Sequence, residues 1–256
     1  MLGDRKAKEL LRPTSVVSTS DNKPFVPEEF IMNPKRKRIF AVSIAILVIS
    51  LSLIVVVFAE NLVSSGGDGK LARVACLGDS ITEITGYPTD LQALLGKNSV
   101  VGNFGVSGAT VDFNTNRPFY FEPAFFNAEF FDPTTVIIML GTNDARTDNY
   151  QQINSFVADY ERMINTIQAL NSKPQIFLVE PPPIFNNTLN LNGTSFADGV
   201  IPRIEQVASA LGLPVINLYT PLIDQPQYFP DGVHPDSEGA QIIANIIYSA
   251  INSDKT

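Results

Sequence analysis

Apolar and polar positions change their rhythm twice along the 256-residue chain. Residues 1–38 hold no sustained apolar period and are interrupted by Pro13, Pro27 and Pro34, as expected of a flexible tail. Residues 39–59 are then uncharged and almost wholly Ile, Val, Leu, Ala and Phe. As a helix they would span about 31 Å, the thickness of a hydrocarbon core. Residues 60–70 are rich in Gly, Ser and Asn and read as a stalk.

After residue 71 short apolar runs alternate with helical periods. Residues 73–77, 99–103, 135–140, 175–179 and 214–218 read as strands. Ile153, Phe156, Val157, Tyr160, Met163, Ile164, Ile167 and Leu170 recur at helical spacing, and so do the isoleucines of residues 242–251. Asp236 or Ser237 can cap that last helix. Continuous apolar strands separated by helices imply a parallel sheet covered on both faces, with ligands at the strands' carboxyl ends. The chain therefore divides into a tail (1–38), a transmembrane segment (39–59), a stalk (60–70) and one folded domain (71–256).

Charge sharpens the division. The balance is +4 over residues 1–38 and −12 over the remainder, against −8 in total. An acidic folded part lacks the basic footprint that nucleic acid requires, so no nucleic-acid partner is expected. The cluster Lys35–Arg38 before the apolar run predicts that this end stays cytoplasmic. The expectation is a single-pass type II signal anchor that partners the membrane through residues 39–59, with the domain extracytoplasmic, at the cell surface or in the secretory lumen. A cleaved signal peptide competes, since Val57 and Ala59 fit a small-residue cleavage pattern. However, the run is long and 38 residues precede it. Cys76 lies inside the first strand and is expected in the core, and no zinc or iron–sulfur spacing occurs.

Chemistry gathers just after strand ends. Ser80 follows the first strand in Gly78-Asp79-Ser80, outside the Gly-x-Ser-x-Gly elbow. A serine there is often only a helix cap. His234 is the sole histidine, three residues after Asp231. A serine nucleophile needs a base, and the base needs a carboxylate to fix its tautomer, so any Ser–His mechanism must use His234. Two further clusters, residues 103–110 and 140–144, read either as turns or as an oxyanion hole.

These four blocks, in this order, resemble the SGNH (GDSL-type) hydrolase superfamily over the whole domain. The resemblance implies a three-layer α/β/α sandwich with a five-stranded parallel sheet, preceded here by the transmembrane helix, and needs no metal or cofactor. It assigns Ser80 as nucleophile, His234 as base and Asp231 as its partner, with Gly108 and Asn143 joining the Ser80 N–H in the oxyanion hole. Residues 101–110, 137–144, 181–185 and 229–235 further resemble the sialate O-acetylesterase-like branch, which implies removal of acetyl groups from sugar hydroxyls. The expected function is a membrane-anchored serine esterase for small acyl, above all O-acetyl, esters on a small molecule or glycan. The rivals are a lipase or lysophospholipase, with the aromatic run 119–131 as a lid, and a carbohydrate-binding protein without turnover. Arg146, Arg117 and Tyr120 are candidate substrate contacts, and Arg can pair with a carboxylate. Asn186 and Asn192 head glycosylation sequons, conditional on a lumenal setting.

Overall fold

The computed structural model describes residues 71–253. Five strands, β1 (Ala72–Gly78), β2 (Ser99–Gly105), β3 (Thr135–Met139), β4 (Gln175–Glu180) and β5 (Val215–Asn217), form one parallel sheet in the order β2-β1-β3-β4-β5. The connecting helices are α1 (Ser80–Ile84), α2 (Tyr87–Leu95), α3 (Pro123–Phe130), α4 (Phe156–Gln168), α5 (Ile201–Leu211), α6 (Tyr219–Leu222) and α7 (Ser237–Ser253).

Strand alternation sorts the core into two layers. Ala75, Leu77, Val136, Ile138, Ile176 and Leu178 turn to one face and pack with Phe125 of α3, Phe156, Tyr160 and Ile164 of α4 and Ile204 of α5. Val74, Cys76, Ile137, Met139, Phe177 and Val179 turn to the other and pack with Tyr87 and Leu91 of α2 and Ile243 and Ile247 of α7. Both faces are apolar because both are covered, which is why the strands read as unbroken apolar runs. Asp236 caps α7, its Oδ1 accepting from the Glu238 and Gly239 N–H groups. Cys76 is fully buried, and burial pushes its thiol up to about 12, as suits a core residue.

The expected α/β domain with five parallel strands is therefore present, but the expected transmembrane helix is corrected. Among the described residues no helix is long and apolar enough to cross a membrane, and residues 39–59 lie outside them. The longest described helix, α7, has 17 residues and is apolar on one face only, with Gln241, Asn245 and Ser249 exposed. The signal anchor, the membrane as partner, the type II extracytoplasmic location and the membrane-anchored form of the function all rested on that helix. None of them enters the functional reading below. The aromatic run is divided between core and surface. Phe119 and Phe125 are buried, while Phe121, Phe126 and Phe130 are exposed.

The chain leaves β1 towards β2 on one side and returns to β3 on the other, so a topological switch point lies between the carboxyl ends of β1 and β3. Close backbone contacts fix it. Asn103 Nδ2 donates to the carbonyls of Thr82 and Glu83 (2.9 and 3.2 Å), clasping β2 to α1. A Cβ on Gly105 would lie 2.2 Å from the Glu83 nitrogen, so only glycine lets the strand approach this closely. Gly105→Ala is expected to cost about 1–3 kcal/mol of stability in urea denaturation. A loss under about 0.5 kcal/mol would contradict this packing.

Glu180 ends β4, buried beside Glu205 of α5. Burial first, and then the neighbouring carboxylate, raise its carboxyl to about 7. A carboxyl raised on folding stabilises fully below its unfolded value, and that contribution is lost as pH rises through about 7. Glu180→Gln should therefore flatten the fall in melting temperature between pH 5 and pH 8. An unchanged slope would contradict the assignment.

Candidate active site

Ser80 opens α1 directly after β1. The strand delivers it to the sheet's carboxyl edge, and the helix begins there because Asp79 caps it, Oδ1 accepting from the Ile81 N–H at 2.9 Å. The backbone N–H groups of a first helical turn have no intrahelical partner. Asp79 is fully buried, and its Oδ2 accepts from Asn143 Nδ2 at 3.3 Å. Burial pushes the Asp79 carboxyl up to about 6, against the opposing effect of the Ile81 hydrogen bond.

Residues 231–234 form one tight loop before α7. Asp231 Oδ1 accepts from the N–H groups of Val233 (2.9 Å) and His234 (2.7 Å), while Oδ2 lies 2.6 Å from His234 Nδ1. The other ring nitrogen, Nε2, lies 2.8 Å from Ser80 Oγ. The loop is placed by Gly232, at φ +83°, where a Cβ would lie 2.2 Å from the Asn186 carbonyl oxygen. Burial pushes the Asp231 carboxyl up, but the hydrogen bonds from the His234 ring and from the two N–H groups outweigh it. They hold the carboxyl below its usual value. The structure thus brings Ser80, His234 and Asp231 into one hydrogen-bonded line, drawn from residues 154 apart in the chain. Such a line can pass a proton from a hydroxyl to an imidazole whose orientation is fixed.

Asn143 follows β3, across the switch point from Ser80. Its Nδ2 also donates to the Ala109 carbonyl at 3.1 Å, and its own carbonyl accepts from Asn149 Nδ2 at 2.8 Å. Gly108 stands beside it at φ +80°, a backbone conformation that favours glycine. Ser80, Gly108, Asn143 and His234 line one cavity of about 260 Å³, with Ile84, Leu189, Leu191 and Val233 as apolar walls.

Several contributors were not singled out from sequence. Asp144 is buried and accepts from the Val111 and Asp112 N–H groups (3.0 Å each at the nearer contact), tying the residue 110–112 turn to β3. Burial raises its carboxyl to about 7. Glu83 accepts from the Ser107 N–H at 2.7 Å and from its hydroxyl, holding the loop that carries Gly108. Asp144 stood inside the cluster 140–144 without a role of its own, and no motif marked Glu83.

The candidate substrate contacts separate. Arg146 lines the cavity. Arg117 does not: it bonds the Ser107 carbonyl (2.6 Å) and Glu122 (3.1 Å), bracing the Gly108 loop from behind. Tyr120 packs against Phe113 and Phe125, outside the cavity. Asn186 and Asn192 are exposed, and Asn192 caps a turn by accepting from the Ser195 N–H. Among the described residues no cluster of three or more His, Cys, Asp or Glu side chains could hold a metal ion.

Comparison with known proteins assigns the fold. The GDSL-like Lipase/Acylhydrolase family matches residues 76–242, well over half of the chain. An acetylxylan esterase of Xylanibacter ruminicola is 35% identical over 205 residues, covering 70% of this chain and 43% of that protein. The chain thus spans less than half the length of that relative. A GDSL-like lipase of Bacteroides thetaiotaomicron superposes with a TM-score of 0.58 at 26% identity, covering 72% of this chain and 90% of the other. A carbohydrate acetylesterase family member of Sinorhizobium meliloti superposes with a TM-score of 0.58 at 20% identity, covering 71% and 98%, a likeness of fold alone. With that fold and that match, the chain belongs to the GDSL-like lipase/acylhydrolase family of SGNH hydrolases.

Proposed function

We propose that the domain removes acetyl groups from carbohydrate hydroxyls, the chemistry of the sialate O-acetylesterase-like branch, with Ser80 as nucleophile. The observation that carries the reading is the relay Ser80 Oγ–His234 Nε2 (2.8 Å) and His234 Nδ1–Asp231 (2.6 Å) at the wall of a small cavity. At about 260 Å³ the cavity lies below the ~300–1,000 Å³ typical of drug-sized ligands, which suits a short acyl group. The acetylxylan esterase relative supports an acetyl ester on a sugar.

The steps follow from the geometry. Ser80 Oγ attacks the ester carbonyl carbon as its proton passes to His234 Nε2. Asp231 stays ionised and stabilises the imidazolium. The carbonyl electron pair moves onto oxygen, where the Ser80 N–H, the Gly108 N–H and Asn143 Nδ2 meet it. Asn143 shares with the oxyanion the proton that makes its longer, 3.3 Å contact to Asp79, so Asp79 keeps the amide aimed while the charge forms. Collapse expels the sugar alkoxide, which takes the proton from His234. Water, deprotonated by His234, then attacks the acetyl group on Ser80, and acetate leaves as Ser80 regains its proton.

Ser80→Ala should abolish acetate release from p-nitrophenyl acetate and from an acetylated sugar, by at least about a thousandfold. Activity near wild type in the variant, or a preference for long acyl chains, would contradict the reading. His234→Ala should lower the rate by a comparable factor, and near-wild-type activity in that variant would remove His234 as base.

Asp79 acts here through Asn143, as a positioning residue. Asp79→Asn must set an amide donor against either the Ile81 N–H or Asn143 Nδ2. The expected loss in kcat is about tenfold to a hundredfold with KM little changed, because the oxyanion exists only beyond the ground state. A change confined to KM would contradict the role.

A further inference from the structure

The cavity at Ser80 does not stand alone. A second, of about 590 Å³, is lined by Arg146, Thr147, Asp148, Gln151, Leu189 and Asn190, and shares Arg146 and Leu189 with the first. The two differ in chemistry. The smaller has apolar walls around the Ser80 hydroxyl. The larger, apart from Leu189, offers a guanidinium, a carboxylate, two amides and a hydroxyl. The two cavities meet at Arg146 and Leu189, so a group bound at Ser80 has an apolar wall on one side and a polar cavity on the other.

We infer that the larger cavity is the subsite for the alcohol half, and that the Arg146–Asp148 pair selects an uncharged polyhydroxylated group over a carboxylated sugar. This rests on the carbohydrate-ester reading above. Arg146 presents Nε to Asp148 Oδ1 at 2.8 Å and Nη2 to Oδ2 at 2.7 Å. That is one of the two edges with which a guanidinium grips a carboxylate in two bonds, and with Asp148 on it the charge of Arg146 is already matched. An anionic sugar would meet a guanidinium whose charge is already matched, with the Asp148 carboxylate beside it. Asp148 keeps that charge at any working pH, since its hydrogen bond with Arg146 holds its carboxyl at about 2.

Sugar hydroxyls meet no such obstacle. A hydroxyl donates as well as accepts, so it can give to the spare lone pairs of Asp148 and accept from Arg146 Nη1 or the Gln151 and Asn190 amides. The floor is held ready. Arg146 bridges to Leu191, the Thr147 N–H donates to the Asn190 carbonyl at 3.2 Å, and the Tyr150 N–H donates to the Arg146 carbonyl at 2.8 Å. Arg117 cannot substitute as an anion partner, being bonded to Glu122 and the Ser107 carbonyl.

The test compares kcat/KM for acetate release by the full chain from an acetylated neutral xylo-oligosaccharide and from O-acetylated sialic acid, with p-nitrophenyl acetate alongside. Wild type should favour the neutral sugar by roughly tenfold or more, the discrimination expected of one charged hydrogen-bonded edge. Asp148→Asn frees the guanidinium and should narrow that ratio by about tenfold. Equal or greater activity on sialic acid in wild type would overturn the inference while leaving the carbohydrate reading intact. So would a ratio that Asp148→Asn does not move. Cleavage of p-nitrophenyl acetate with neither sugar cleaved would overturn the carbohydrate reading, and the subsite with it.

Discussion

Asp79 sits fully buried in the turn between β1 and α1, and its two oxygens reach two different parts of the site. Oδ1 takes the Ile81 N–H and so fixes where α1 begins, which decides where the Ser80 hydroxyl and backbone N–H stand. Oδ2 takes Asn143 Nδ2 and so ties the turn after β3 to the turn after β1. Burying a carboxylate is unfavourable, as its rise to about 6 records, and the two hydrogen bonds offset part of that cost. Remove the carboxylate and the first helical turn and the Asn143 amide lose their common reference point.

Around that point the sheet topology does the assembling. Because the chain runs from β1 out to β2 and back to β3, three different loops end at one edge. The loop before α7 comes from the far end of the sequence and lands beside them through Gly232, pressed against the Asn186 carbonyl. Glycines at 105 and 232 are therefore matters of clearance. They let backbone meet backbone where a methyl group would hold the pieces apart. The resulting site is braced behind by charged contacts, Glu83 and Arg117 both gripping Ser107, so the Gly108 backbone is set before any substrate arrives.

Much of this was legible in the sequence, for physical reasons. Strands covered on both faces must be apolar throughout, so all five could be located, with ends shifted by one or two residues. β5 pairs only over Val215–Asn217, and β4 runs on to Glu180. Ser80 stood out at a strand end and His234 as the one histidine, and the structure brings the two side chains together. Asp79 and Asp144 were not, since a buried carboxylate and a turn carboxylate look alike without the third dimension. Arg117 and Tyr120 lie outside the cavity lining, each engaged locally, in an ion pair and in an aromatic stack. Arg146 does line the cavity, and the structure shows its charge matched by Asp148 two residues on. The apolar run at residues 39–59 lies outside the described residues, and no described helix does the work expected of it.

The central claim is that Ser80 Oγ carries the acyl group. The direct measurement is an acid quench of the full chain during turnover of p-nitrophenyl acetate, followed by peptide mapping by mass spectrometry. The account predicts one acetyl group, on the peptide containing Ser80 and on that serine. Acetyl bound to another residue, or turnover with no acetyl-enzyme under conditions that trap the intermediate, would contradict it.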